Sequence, residues 1–74
     1  MEVDVMIYMK EKIEPAEGYE LAVGLRRLDG VLDVAFNPEQ RRLIQVVYDP
    51  VRTDAQAFVK NLAEGGREAS LIGG

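Results

Sequence analysis

Residues 31–36 and 43–48, VLDVAF and LIQVVY, are apolar runs with only the polar segment NPEQRR between them. Both are rich in residues that suit strands, and Asn37-Pro38 breaks the pattern after the first. A short polar turn between two such runs predicts a β-hairpin, with the second and third strands as antiparallel neighbours.

The flanking segments extend this hairpin into a full sheet. Val3, Val5, Ile7 and Met9 alternate with Asp4, Met6, Tyr8 and Lys10, the period of two that sends successive side chains to opposite faces of a strand. From Leu21 the period changes. Leu21, Leu25 and Leu28 form the stripe of an amphipathic helix, with Arg26 and Arg27 outside it, so a first helix is expected over residues 15–28. Asp29-Gly30 ends it, and Asp49-Pro50 stops the third strand. Thr53 and Gln56 match a capping box at the start of a second helix that buries Ala55, Phe58, Val59 and Leu62. Gly65-Gly66 can adopt the positive φ of a helix C-terminus, and residues 69–72 read as a last short strand. The order βαββαβ predicts an α+β, ferredoxin-like fold: a four-stranded antiparallel sheet with both helices on one face.

With 74 residues, 47% of them hydrophobic and 30% charged, the chain is expected to fold as a single domain over residues 1–74. The starting methionine favours a complete small protein. The net charge of −4 lies entirely at the front: residues 1–20 hold six acids against Lys10 and Lys12, whereas the remainder balances seven of each sign. Such a chain lacks the basic surface that displaces counterions from phosphates, so no nucleic-acid partner is expected. No secretory signal or membrane-spanning run is visible, which points to the cytoplasm and to no membrane partner. Cysteine and histidine are absent, Ser70 is the only serine, and no paired acid stands out in an apolar setting. No enzyme is expected.

Three segments at joint spacing carry a family resemblance. They are Leu21-x3-Leu25-x2-Leu28-Asp29-Gly30-Val31-x2-Val34, then Tyr48-Asp49-Pro50, then Ala63-Glu64-Gly65. In these the chain resembles the heavy-metal-associated domain of copper chaperones and of the N-terminal regions of metal-transporting P-type ATPases. The resemblance implies the ferredoxin-like fold and a first loop of the form M-x-C-x-x-C. Counting back from Gly30 places those two cysteines on Glu14 and Glu17 and the methionine on Lys12. The aromatic or lysine found beside the metal falls on Gly66. Soft Cu(I) prefers sulfur, whereas carboxylates suit Mg²⁺, Ca²⁺ or Mn²⁺. The resemblance therefore carries the fold but not soft-metal transfer.

Glu14 and Glu17 have two readings. Pro15 suits the first helical position, and acids in a first turn interact favourably with unpaired amides and the helix dipole, Glu17 reaching back toward the amides. Alternatively the pair binds a hard divalent cation weakly. Two carboxylates supply at most four oxygens where Ca²⁺ wants six to eight, and the dipole opposes a cation there. No resident cofactor is expected. Met6 and Met9 do not form a shared thioether site, since residues three apart on a strand point to opposite faces.

If Val3, Val5, Ile7 and Met9 face the helices, then Met6, Tyr8, Leu43 and Val47 gather on the uncovered face of the sheet. Arg41 and Arg42 are placed to shield it. An apolar patch there marks an interface with a protein partner or a second copy. The expected function is a non-catalytic interaction module that has lost soft-metal transfer. The alternative is a metal-handling protein with weak hard-cation binding at Glu14 and Glu17.

Overall fold

The computed structural model describes residues 1–72. Strands β1 (Val3–Met9), β2 (Val31–Phe36), β3 (Leu43–Tyr48) and β4 (Ala69–Ile72) and helices α1 (Pro15–Arg26) and α2 (Ala55–Glu64) follow the expected order. The sheet runs β2-β3-β1-β4 with every neighbour antiparallel, the ferredoxin-like arrangement. β1 pairs with β3 from Val3↔Tyr48 to Tyr8↔Leu43, so the two central strands share one face pattern.

The period of two in β1 is realised: Val5, Ile7 and Met9 are buried, while Val3 lies at the strand end and is exposed. Val34, Phe36, Ile44 and Val46 complete the sheet's side of the core. Ala22 and Leu25 of α1, Phe58 and Leu62 of α2, and Ile13 of the first loop close it. Leu21 and Leu28 pack at the margin, and Ala55 and Val59 are half-buried.

Two boundaries depart from the sequence reading. α1 stops at Arg26 rather than near Leu28, because Arg27 N and Leu28 N donate to Gly24 O and Leu25 O in a tightened last turn. The cap of α2 is Asp54, not Thr53: the Asp54 Oδ1 accepts from Ala57 N at 3.1 Å. Thr53 is held in the preceding turn by its amide to Asp49 O, with its methyl turned onto Gly30. That contact leaves the next residue to cap. Asp54→Ala should therefore cost about 1 kcal/mol, read as a lower urea midpoint, whereas the Gln56→Ala change should cost little.

Gly30 has φ +89°, and a Cβ there would stand 2.8 Å from Thr53 Cγ2. Its carbonyl accepts from Asp49 N at 2.8 Å. One glycine thus joins the end of α1 to the approach to α2.

Candidate functional site

The first loop is pinned before the helix begins. Ile13 is buried, its amide donates to Arg41 O at 2.8 Å, and Arg41 Nε donates back to Ile13 O at 3.0 Å. Glu14 is the cap residue of α1, with extended backbone (φ −64°, ψ 144°), and Pro15 opens the helix as expected. Glu14 O takes the first helical hydrogen bond, from Gly18 N at 2.9 Å.

Neither carboxylate caps the helix. The Glu14 side chain makes no cap hydrogen bond and instead meets Arg41 Nη2 at 3.2 Å. The Glu17 carboxylate is paired with the Arg67 guanidinium, both side chains being about one-third exposed. Reaching back toward the helix amides gives way to an arginine delivered from another element, where both partners of the pair carry a full charge.

The delivery of Arg67 follows from the local sequence. At the end of α2, Gly66 N donates to Ala63 O and Arg67 N to Leu62 O, with Gly66 at φ +85°. This is a Schellman ending, which needs a residue free to adopt positive φ. It turns Arg67 back toward the start of α1. Gly66 holds the position where the resembling family has an aromatic or lysine, so the cation beside this loop comes one residue later.

Glu14 and Glu17 are thus brought to the same end of the molecule but claimed by two different arginines, one from the β2–β3 loop and one from beyond α2. Lys10 and Glu68 add a third pair at 3.5 Å. Among the described residues, no group of three or more acidic side chains is placed to hold a metal ion. A univalent cation entering beside a guanidinium at ~4 Å would meet repulsion of about 1 kcal/mol in water and about 4 kcal/mol at the effective dielectric of a protein surface, and a divalent one about twice that.

The chemistry of the donors does not fit a soft metal. The loop offers carboxylate oxygens only, and the chain's three sulfurs belong to methionines. Met9 is in the core, Met6 is half-buried on the opposite face of β1, and Met1 is exposed. Met6 and Met9 are kept apart as expected.

The second expected site is the uncovered sheet face. Cross-strand neighbours there are Asp4 and Val47, Met6 and Gln45, and Tyr8 and Leu43. The structure therefore brings Met6, Tyr8, Leu43 and Val47 onto one face. Met6, Leu43 and Val47 are half-buried, and Tyr8 is 36% exposed. Arg42 Nη1 donates to the Tyr8 hydroxyl at 2.8 Å, with its Cζ 5.9 Å from the ring centroid, at the outer limit of a cation–π contact. Gln45 Nε2 donates to Asp4 Oδ2 at 2.9 Å. Arg41, expected as a second shield, is instead committed to Ile13 and Glu14. Ile72 of β4, opposite Met6 and 45% exposed, extends the patch. It was not foreseen, since the β1–β4 register is not written in the local pattern.

Three solved structures superpose over nearly the whole chain. Oxidised MerP from Ralstonia metallidurans CH34 matches at 20% identity with a TM-score of 0.86, covering 99% of this chain and 100% of that one. A copper-binding domain from HMA7, a P-type ATPase, matches at 18% identity with a TM-score of 0.83, covering 99% and 96%. The copper form of a CopA variant from Bacillus subtilis matches at 22% identity with a TM-score of 0.80, covering 100% and 96%. The chain has the fold of these metal-binding domains; at these identities the likeness extends to the fold alone. No protein-family profile matches the sequence, and no curated protein matches it either.

Proposed function

We propose that residues 1–74 form one non-catalytic protein-interaction domain on the heavy-metal-associated fold, without soft-metal transfer and acting in the cytoplasm. The observation that carries this reading is the Glu17–Arg67 pair: the cation opposite the loop is one of the chain's own side chains. Glu14 is likewise matched by Arg41. The loop keeps the position of a cargo site while its charge is met internally.

What remains for contact is the sheet face. Met6, Tyr8, Leu43, Val47 and Ile72 form an apolar strip that no helix covers among the described residues, and the acidic first loop lies elsewhere on the same molecule. An apolar patch supplies burial, and nearby charges select the partner and set the encounter rate. Among the described residues no helix is long and apolar enough to cross a membrane.

The test compares two baits, the wild-type chain and Val47→Lys, in capture from lysate of the source cells. A protein held by wild type and lost on Val47→Lys supports the reading, whether that protein is another chain or a second copy. Identical capture by both baits removes the sheet face as the interface. Val47 is half-buried on the outer face and contributes nothing to the inner core, so the variant should keep its fold, which its amide spectrum checks.

A further inference from the structure

The uncovered face carries its charges at opposite ends. Glu2 and Asp4 lie at one end, around a hollow shared with Val47. Neither makes an ion pair among the described residues. Arg42 and Lys10 lie at the other end, around a second hollow that includes Tyr8 and Glu68. Lys10 is paired with Glu68, while Arg42 binds only the Tyr8 hydroxyl and has no carboxylate partner among the described residues. The apolar strip fills the space between.

Asp4 and Tyr8 are four residues apart on β1, about 13 Å along the strand. That exceeds the ~8 Å screening length at physiological salt, so the two ends act as separate charges. The face is acidic at one end, apolar in the middle and basic at the other, with Met6 and Gln45 at its centre.

We infer that this face takes a second copy of the same chain, related by a twofold axis that lies in the contact plane and crosses the strands near Met6 and Gln45. The inference rests on the proposed role of this face as an interface and adds the identity and orientation of the partner. Such an axis reverses strand direction between the copies. Glu2 and Asp4 of each copy then face Arg42 and Lys10 of the other, and the contact occurs twice, as an isologous interface requires. An axis parallel to the strands would set acid on acid and arginine on arginine. Size also matches: the bulky end, Tyr8 and Leu43, meets the smaller end at Val47.

The β2 edge offers no competing contact. Arg26 Nη2 donates to Val34 O at 2.6 Å, Asp33 Oδ1 accepts from Val34 N at 2.9 Å, and the strand is irregular between Val31 and Asp33. Edges treated this way resist strand addition. Four strands at ~4.8 Å spacing and six residues at ~3.3 Å give the face roughly 400 Å². That is about half of what a standard stable interface buries per partner, so the dimer is weak and concentration-dependent.

Sedimentation over a concentration series, at low and high salt, tests this with the full chain. Wild type should self-associate, less so at high salt. Asp4→Arg and Arg42→Glu should each weaken the dimer by about tenfold, since each turns two attractive contacts repulsive. The double variant Asp4→Arg/Arg42→Glu should return to near the wild-type constant. A wild-type chain that stays monomeric overturns the proposal, and so do single variants that associate like wild type or a double variant no better than the singles. A monomer that still captures a different protein through a Val47-sensitive contact overturns the second copy while leaving the interaction reading intact. Both substituted positions, Asp4 and Arg42, are exposed, and an unchanged amide spectrum excludes unfolding as the cause.

Discussion

Phe58→Ala is expected to remove about 3–5 kcal/mol of stability, close to half of what the whole chain possesses. Phe58 is 0% exposed and is the largest fully buried side chain. Its ring meets Tyr48 of β3 edge-on, with centroids 5.2 Å apart at 78°, so it links α2 to a central strand as well as filling the core. Truncation loses the transferred surface, leaves a cavity, and forfeits an aromatic pair worth about 0.5–1.5 kcal/mol beyond burial. A chain of this length has roughly 4–11 kcal/mol in total, at ~0.05–0.15 kcal/mol per residue. Urea unfolding followed by circular dichroism should show a large fall in midpoint with an unchanged slope. Phe58→Leu, which refills most of the volume, should cost less than about 2 kcal/mol.

Gly18→Leu should cost about 3 kcal/mol, against the trend for a helix glycine. Replacing glycine inside a helix ordinarily gains up to about 1 kcal/mol. Here a Cβ would stand 2.3–2.6 Å from Cζ, Cε2 and Cε1 of Phe36, closer than carbon atoms approach. The ring is itself held edge-on by Tyr19, with centroids 5.4 Å apart at 86°. It can yield only by giving up that contact and its own packing on α1. Gly18→Ala is the milder form of the same clash, and Phe36→Leu should relieve it. In a double-mutant cycle the two substitutions should be less harmful together than the sum of each alone, because they act on one contact. Additive costs would mean that the ring moves aside freely.

The element order was legible in the sequence because each segment carries its own period or punctuation. Val5, Ile7 and Met9 mark a strand whatever surrounds them, and the same holds for Leu25 and Phe58 on their helices. The resemblance pointed to Glu14 and Glu17, which the structure has at the cap and in the first turn of α1. What could not be read locally were contacts between distant segments. Gly18 carries no mark in the sequence of the Phe36 ring that lies against it. Thr53 and Asp54 are both good caps, and only the packing of Thr53 on Gly30 decides between them. Arg41 and Arg67 are 27 and 50 residues from the glutamates they hold. The signal that could have found Arg67 was its place directly after Gly65-Gly66, one residue beyond the position where the resembling family has an aromatic or lysine.

The loop and the sheet face have different physical status. Each ion pair at the loop is partly exposed and adds little to stability, typically below about 1 kcal/mol. Its consequence is chemical: it replaces an open set of donors with a closed pair of charges. The sheet face, by contrast, leaves apolar surface uncovered and Glu2, Asp4 and Arg42 without an ion pair among the described residues. The chain shares its fold with metal-binding domains, and in the proposed reading its working surface is the sheet face rather than the loop.

The most direct measurement is a Cu(I) titration of the wild-type chain that follows backbone amide shifts, with Glu14→Cys/Glu17→Cys alongside as the form that restores two sulfur donors. Wild type should show no saturable shift over residues 12–18, and the cysteine variant should gain one there. Saturable shifts in wild type over those residues, abolished by Glu14→Gln/Glu17→Gln, would contradict the account and return the loop to metal handling.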